Sequence, residues 1–229
     1  MRCSPPHNQT RAYHHGNLRE ALIEAALGLI AERGPAGFTF AEVARAAGVS
    51  AAAPYRHFRD RNALIAEIAR QGFERFANDL KAAWREGKPD PVSAIENCGQ
   101  AYLAFARREP AAYAAMFQSG LPIEEDATLL IAFDRAFGVL RHAAEVACQI
   151  FTATSRSGTP PGEAARPSPP ALMVALHVWT MAHGIASLFI GSSDSARRKL
   201  PMLPEELLEA GLLIYLGSLG LTSHHEPRR

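Results

Sequence analysis

FTFAEVARAAGVSAAAPYRHFRDRNAL, residues 38–64, is the stretch whose reading decides the fold. It opens on a helix start. Thr39 and Glu42 form the T-x-x-E pattern of a capping box, in which hydroxyl and carboxylate each accept from a backbone N–H that the first helical turn leaves without a partner. Phe38 before the cap and Val43 after it stand where an apolar staple closes. A helix is therefore expected from about Phe40, and it has to be short. Gly48 follows Ala47 where a left-handed residue ends a helix, and Ser50, just past Val49, is a second N-cap. The order is helix, tight turn, helix.

The second of these helices is expected over Ala51 to about Phe58. Ala51, Ala52 and Ala53 leave its first turn without bulk, so its backbone can come close to a partner surface. Pro54, which has no N–H, costs that turn about one backbone hydrogen bond. Tyr55, Arg56 and His57 then bring together a phenol, a guanidinium fork and an imidazole, all suited to phosphate or base-edge contact. Asp60 caps a third helix, with Arg59 and Arg61 flanking its start. A cation there opposes the helix dipole, so Arg61 is expected to face a polyanion rather than to stabilise the helix, and the helix start is a further anion site. A small helical hairpin with a solvated basic rim would carry the same local signs.

In register, Thr39, Phe40, Val43, Ala44, Ala47, Gly48, Val49, Ser50, Tyr55, His57, Phe58, Arg61 and Leu64 resemble the DNA-binding head of the tetracycline-repressor (TetR) family. The resemblance spans three helices and two turns. Arg61 stands where the family usually has lysine, which keeps the charge, and Pro54 replaces a more usual aliphatic residue. What the resemblance implies is an all-α protein with an N-terminal three-helix helix-turn-helix domain, then a helical effector-binding and dimerisation domain, about nine helices in all. With the residue reading it assigns double-stranded operator DNA to Thr39, Ser50, Ala51, Ala52, Ala53, Tyr55, Arg56, His57 and Arg61.

Working outward, 229 residues with 48% apolar and 21% charged side chains fit a globular chain able to bury a sizeable core. The net charge is only +1, but it is unevenly spread: residues 1–62 hold 8 Lys/Arg against 5 Asp/Glu, and the remainder 16 against 18. A modest positive bias thus falls on the head, as phosphate contact requires. Cys3, Cys98 and Cys148 are far apart and odd in number, which points to reduced thiols in a cytosol rather than a disulfide frame. Residues 1–15 read as a flexible arm and not a secretory signal. The longest apolar run, Ala171 to Ile190, carries His177 and His183 and reads as a buried helix rather than a membrane span. A cytoplasmic protein is expected.

The first helix is expected over Asn17 to Arg33, with Leu22, Ala26, Leu29 and Ile30 on one stripe. The helix capped by Asp60 should continue through Phe73, Phe76 and Leu80 until Gly87 and Pro89 stop it, long enough to leave the head. Further helices are expected at Val92–Arg108, Ala111–Gln118, Glu124–Phe151, Pro170–Ile190 and Pro204–Leu219, none alternating with period two. The domains are then 16–72 for the head and 73–222 for the body, with a Pro/Ser/Gly-rich loop at 152–169 and a tail at 223–229.

The last two helices mix small residues (Ala182, Gly184, Ala186, Ser187, Ala210, Gly211, Gly217, Ser218, Gly220) with Leu188, Phe189, Leu208, Leu212, Leu213 and Tyr215. They are candidates for a two-fold interface, and the family resemblance implies a homodimer there, its two heads reading a palindrome. The opening YHHGNLREALIEAA and the W-x-x-x-H-G of Trp179, His183 and Gly184 resemble the WHG-type branch of the same family. Trp179 and His183 share a helix face, and a core histidine satisfied against an indole is favoured over a ligand contact. A small, largely apolar effector is expected among the middle helices, with Trp84, Tyr102, Phe105, Tyr113, Phe117, Phe137, Trp179 and His183 as candidate lining residues.

No G-x-S-x-G, P-loop or H-E-x-x-H pattern occurs, so no enzyme activity is expected, and no cofactor. His142, Glu145 and Cys148 spread over too much of a helix circumference for a metal site. The competing class is a helical small-molecule binding protein that no longer reads DNA, since Ala51 to Ala53 offer few base-specific donors.

Overall fold

The computed structural model describes residues 18–158, 168–189 and 202–221. The expected arm with Tyr13, His14 and His15, residues 159–167 of the expected loop and the 223–229 tail lie outside the described residues. Among those described there are eight α-helices, three single turns of 3-10 helix and no strand. They are α1 (Leu18–Arg33), α2 (Phe40–Ala46), α3 (Arg61–Trp84), α4 (Pro91–Arg108), α5 (Pro110–Phe117), α6 (Ala127–Gly158), α7 (Ala171–Phe189) and α8 (Pro204–Ser218). The expectation of about nine is short by the helix at Ala51 to Phe58, which is one 3-10 turn instead.

The head closes as its caps dictate. Thr39 N–H donates to Glu42 Oε2 at 2.8 Å and Glu42 N–H donates to Thr39 Oγ1 at 3.3 Å, so the box is complete. The Thr39 N–H, then its hydroxyl and the Arg33 guanidinium, hold the Glu42 carboxyl down at about 2. Gly48 takes φ +71°, the left-handed turn that ends α2. Asp60 accepts from Ala63 N–H at 2.8 Å to start α3. Against these, α1 buries Leu22, Ile23, Ala26 and Ile30 on α2 and α3.

From the head α3 runs on unbroken for 24 residues. It packs on α4, α5 and α6, with α7 laid over α4 and α6, and α8 closing against α4 and α7. One apolar core joins head and body. Ion pairs rim it, from Arg75 to Glu109 at 2.8 Å and from Arg107 to Glu205 at 2.6 Å. After Trp84 the chain reverses through Arg85, Glu86 and Gly87, at φ 45°, 55° and 77°, and Asp90 caps α4 by accepting from Val92 and Ser93 N–H, each at 3.0 Å.

The expected span Glu124–Phe151 differs at both ends. Asp126, not Glu124, sets the start of α6, since its carboxylate accepts from Thr128 N–H at 2.9 Å and Leu129 N–H at 3.1 Å. At the other end α6 continues to Gly158, into the stretch expected to be loop. Thr152 donates back to Cys148 O at 2.8 Å and Thr154 to Ile150 O at 3.0 Å, so these hydroxyls extend the helix instead of capping its end. By length and composition α7 could cross a membrane; here it buries Val174, Ala175, Val178, Ala182, Ile185 and Ala186 inside the helical body.

Candidate nucleic-acid interface and buried aromatic cluster

The turn between Ser50 and Phe58 is built on three-residue hydrogen bonds. Ala53 N–H donates to Ser50 O at 2.9 Å, Arg56 N–H to Ala53 O at 3.2 Å and His57 N–H to Pro54 O at 3.0 Å. Pro54 has no N–H to offer the Ser50 carbonyl, so Ala53 takes that acceptor and the turn tightens into 3-10 form. Ser50 is therefore not the side-chain cap expected of it; the turn starts at Ala53 without one. Pro54 and Phe58 are buried and anchor the turn, while Ser50, Ala51, Ala52, Tyr55, Arg56 and His57 face outward and Ala53 is half-buried. Tyr55 leans edge-on against Phe40 at 4.9 Å yet stays 62% exposed, leaving its rim free to meet a partner surface.

Two of the expected DNA contacts are engaged within the protein. The Thr39 hydroxyl donates to Glu42 Oε2 at 2.8 Å. Arg61 is turned inward: its guanidinium lies 5.1 Å from the centre of the Phe38 ring and donates to the Pro35 carbonyl, with Nε buried. Its charge at the first position of α3 is thus held by the quadrupole of Phe38 and the backbone dipole of Pro35, which sequence position alone does not reveal. Arg61→Ala is expected to destabilise the protein by about 1–2 kcal/mol, read as a lower midpoint in thermal unfolding; an unchanged midpoint would return Arg61 to the surface.

In the body, six of the eight candidate lining residues converge. Trp179 of α7 is surrounded by Tyr102 at 5.3 Å, Phe117 at 6.1 Å and Phe137 at 5.6 Å between ring centres, and Phe117 stands 4.9 Å from both Tyr113 and His183. Phe105 lies behind Phe76 at 5.0 Å, with Arg108 over its other side at 5.7 Å, so it backs the cluster. Trp84 does not belong to it. That ring is at the end of α3, facing His142 at 6.1 Å and packed beside Gly87. Phe73, Phe76 and Phe133 were missing from the expected set, because on a sequence they read as ordinary core stripe; Phe133 is 5.8 Å from Trp179 and 5.5 Å from Phe73.

Four polar groups share one edge of this cluster. Tyr102 Oη and Tyr113 Oη lie 2.9 and 3.1 Å from His183 Nδ1, and Ser187 Oγ lies 3.1 Å from Tyr113 Oη and 3.3 Å from His183 Nε2. Both ring nitrogens of His183 thus have hydroxyl partners, rather than the Trp179 indole against which the sequence reading set it. Burial lowers the His183 pKa and raises those of Tyr102 and Tyr113, so all four groups are neutral near pH 7. Ser187 was read as a small packing residue, although its place four residues after His183 puts both on one face.

A surface cleft of about 400 Å³ separates α3 from the start of α6, lined by Glu67, Arg70, Glu74, Thr128, Ile131, Ala132 and Arg135. Its α3 wall carries a network of charges that ties α1 to α3. Arg19 of α1 meets Glu67 at 2.9 Å, and Arg70 meets Glu67 at 2.8 Å and Glu74 at 2.6 Å. Burial alone would raise Glu67, but hydrogen bonds from Arg70, Arg19 and Gln71 outweigh it and hold the carboxyl at about 2 instead of 4.5. A carboxyl depressed by folding stabilises above its unfolded value and loses that contribution as pH falls through the folded one. The stability gap between wild type and Glu67→Gln should therefore be full at neutral pH and close between about 4.5 and 2, measured by thermal unfolding across that range. Among the described residues no group of His, Cys, Asp and Glu gathers as a metal would need, and His142, Glu145 and Cys148 do not converge.

The outer faces of α7 and α8 are apolar and uncovered. Leu172, Met173 and Leu176 line one, Leu213 at 64% and Ile214 at 74% exposure the other. Between them His177 stacks on Tyr215 at 4.7 Å. Leu208 and Leu212, expected in the interface, point inward against α4, where both meet Gly99. Several small residues serve the same inward packing; a Cβ on Gly211 would lie 2.7 Å from Met181 Sδ.

Residues 22–68 match the description "Bacterial regulatory proteins, tetR family", and residues 95–212 match "Tetracyclin repressor-like, C-terminal domain". The chain belongs to the tetracycline-repressor family. That family is described as one of bacterial regulatory proteins. The C-terminal match carries no WHG label, so the branch suggested by Trp179, His183 and Gly184 stays a resemblance. This TetR-family chain is 31% identical over 119 residues to the HTH-type transcriptional regulator BetI of Agrobacterium fabrum, a match over 51% of the chain and only 58% of that relative's length. A structure of a protein of unknown function from Rhodococcus sp. RHA1 superposes with a TM-score of 0.70 at 26% identity, covering 93% of this chain and all of that one. AibR, described in complex with isovaleryl coenzyme A and operator DNA, shares the fold at a TM-score of 0.62 and 19% identity, over 86% of this chain and 97% of its own.

Proposed function

We propose that this protein is a ligand-responsive transcriptional regulator, a repressor that binds a palindromic operator as a homodimer and lets go when a small, largely apolar effector enters the aromatic cluster. The observation that carries this reading is the outward-facing turn of Tyr55, Arg56 and His57, held on buried Pro54 and Phe58 at the tip of a TetR-family head. Ser50, Ala51, Ala52 and half-buried Ala53 let that turn's backbone approach a duplex closely, while Thr39 and Arg61 shape the head that carries it. The division into head, 16–72, and body, 73–222, is supported by family matches that fall on either side of it. The uncovered face of Leu172, Met173, Leu176, Leu213 and Ile214 supports dimerisation through the last two helices.

The effector has to bind the DNA-incompetent spacing of the two heads more tightly than the competent one, or it shifts nothing. That AibR, with the same fold, is described with both an acyl coenzyme A and operator DNA supports the architecture's capacity for both partners, though at fold level alone. A cytoplasmic location goes with operator binding. The test is a gel-shift titration with DNA from upstream of the protein's own gene: a saturable, competitor-resistant shift is expected. Binding no tighter than to random duplex would favour a small-molecule binding protein, as the alanines at 51–53 would then suggest.

A further inference from the structure

We propose that the effector is an uncharged molecule with an aromatic body and a single hydroxyl, a phenol-class ligand, and that its hydroxyl enters the hydrogen-bonded chain of Tyr102, His183, Ser187 and Tyr113. This rests on the reading that the aromatic cluster holds the effector. With Nε2 of His183 protonated, the groups form a hydrogen-bonded chain: Tyr102 O–H donates to His183 Nδ1, His183 Nε2–H to Ser187 Oγ, and Ser187 O–H to Tyr113 Oη, which itself lies 3.1 Å from His183 Nδ1.

That chain selects the chemistry of a guest. A hydroxyl donates and accepts, so it can be inserted in one link and leave the chain unbroken. A carbonyl only accepts, so in the same link it takes the His183 Nε2–H but returns no donor to Ser187 Oγ, and it makes one hydrogen bond where a hydroxyl makes two. The link to open is the one between Ser187 and His183, the longest at 3.3 Å. It also lies on the accessible flank: His183, Ser187, Phe117 and Phe137 are partly exposed, whereas Tyr102 and Tyr113 are each 1% exposed at the closed end. Charge is excluded on separate grounds. Among the described residues no charged side chain is buried, so neither an anion nor a cation would find a counter-ion in the cluster, and burying an ion without one is strongly unfavourable. The edge-to-face ring contacts around Trp179, such as that of Tyr102 at 5.3 Å, suit a further aromatic ring.

The test uses the purified full chain without DNA and three isosteric probes near neutral pH: para-ethylphenol, ethylbenzene and para-ethylbenzoate, followed by calorimetry and by thermal shift. The wild type is expected to bind para-ethylphenol about tenfold more tightly than ethylbenzene and to bind para-ethylbenzoate most weakly. Ser187→Ala and Tyr113→Phe should bring the phenol down to the affinity of ethylbenzene and leave ethylbenzene itself unchanged; Ser187→Ala, at the partly exposed position, covers the case where Tyr113→Phe does not fold. Equal affinity for phenol and hydrocarbon, tighter binding of the carboxylate, full phenol preference in folded variants, or no binding of any probe would each overturn the proposal. Operator binding is measured separately, so an operator-binding protein without phenol preference sinks this inference alone, and a phenol-selective protein that ignores its operator sinks only the regulator reading.

Discussion

Arg56→Ala is expected to weaken operator binding by about 1–3 kcal/mol, roughly fivefold to a hundredfold, without moving the midpoint of thermal unfolding. Arg56 stands on the exposed turn, and among the described residues no side chain is paired with it. Its fork is therefore free to take phosphate oxygens or the edge of a guanine. The two differ in their salt dependence. Loss of a phosphate contact lowers the slope of log affinity against log salt by about one, whereas loss of a base contact leaves the slope and flattens the discrimination between sequences. Anisotropy titrations over a salt series, paired with a thermal melt, read both. Arg61→Ala should behave in the opposite manner, lowering the melt first, because its guanidinium braces Phe38 and Pro35. If Arg56→Ala bound the operator like wild type, the outward turn would not be the reading surface.

The larger effect is expected from Leu213→Asp combined with Ile214→Asp. Both side chains project from α8 with well over half their surface exposed, beside Leu172, Met173 and Leu176 of α7. Burying a leucine or isoleucine contributes about 1.5–3 kcal/mol, and a two-fold axis counts each residue twice, so losing the pair costs an interface on the order of 5 kcal/mol or more. Two carboxylates facing their symmetry mates add repulsion. The protein should elute as a monomer with an unchanged helical spectrum, and operator affinity should fall at least a hundredfold because two half-sites are no longer held at fixed spacing. Light scattering coupled to size exclusion decides the matter; a persistent dimer would move the interface elsewhere.

The local parts of the fold were legible because they depend on neighbours in sequence. Thr39 and Glu42 announce α2, Gly48 ends it, and Asp60 starts α3 where its carboxylate meets the backbone. What escaped depends on tertiary neighbours or on small competitions. Pro54 was visible, but whether the turn around it becomes α or 3-10 is settled by which N–H claims the Ser50 carbonyl. Thr152 and Thr154 look like loop residues until their hydroxyls are seen to bond back along α6. Arg61 looks like a free cation until Phe38 comes within reach. Tyr102 and His183 are 81 residues apart, so no periodicity joins them, and Trp84 joined the expected lining only because it is aromatic.

The unbroken course of α3 makes it a lever with its fulcrum in the body. Phe73 and Phe76, which form part of the wall around Trp179, come 12 and 15 residues after Arg61 at the head's edge, a distance of roughly 20 Å along the helix axis. A guest that wedges those rings aside by enough to tilt the rod about 5° swings its far tip by nearly ~2 Å. Across the proposed symmetric pair the two swings add, and the gap between the tips changes by about one base-pair rise of the duplex, 3.4 Å.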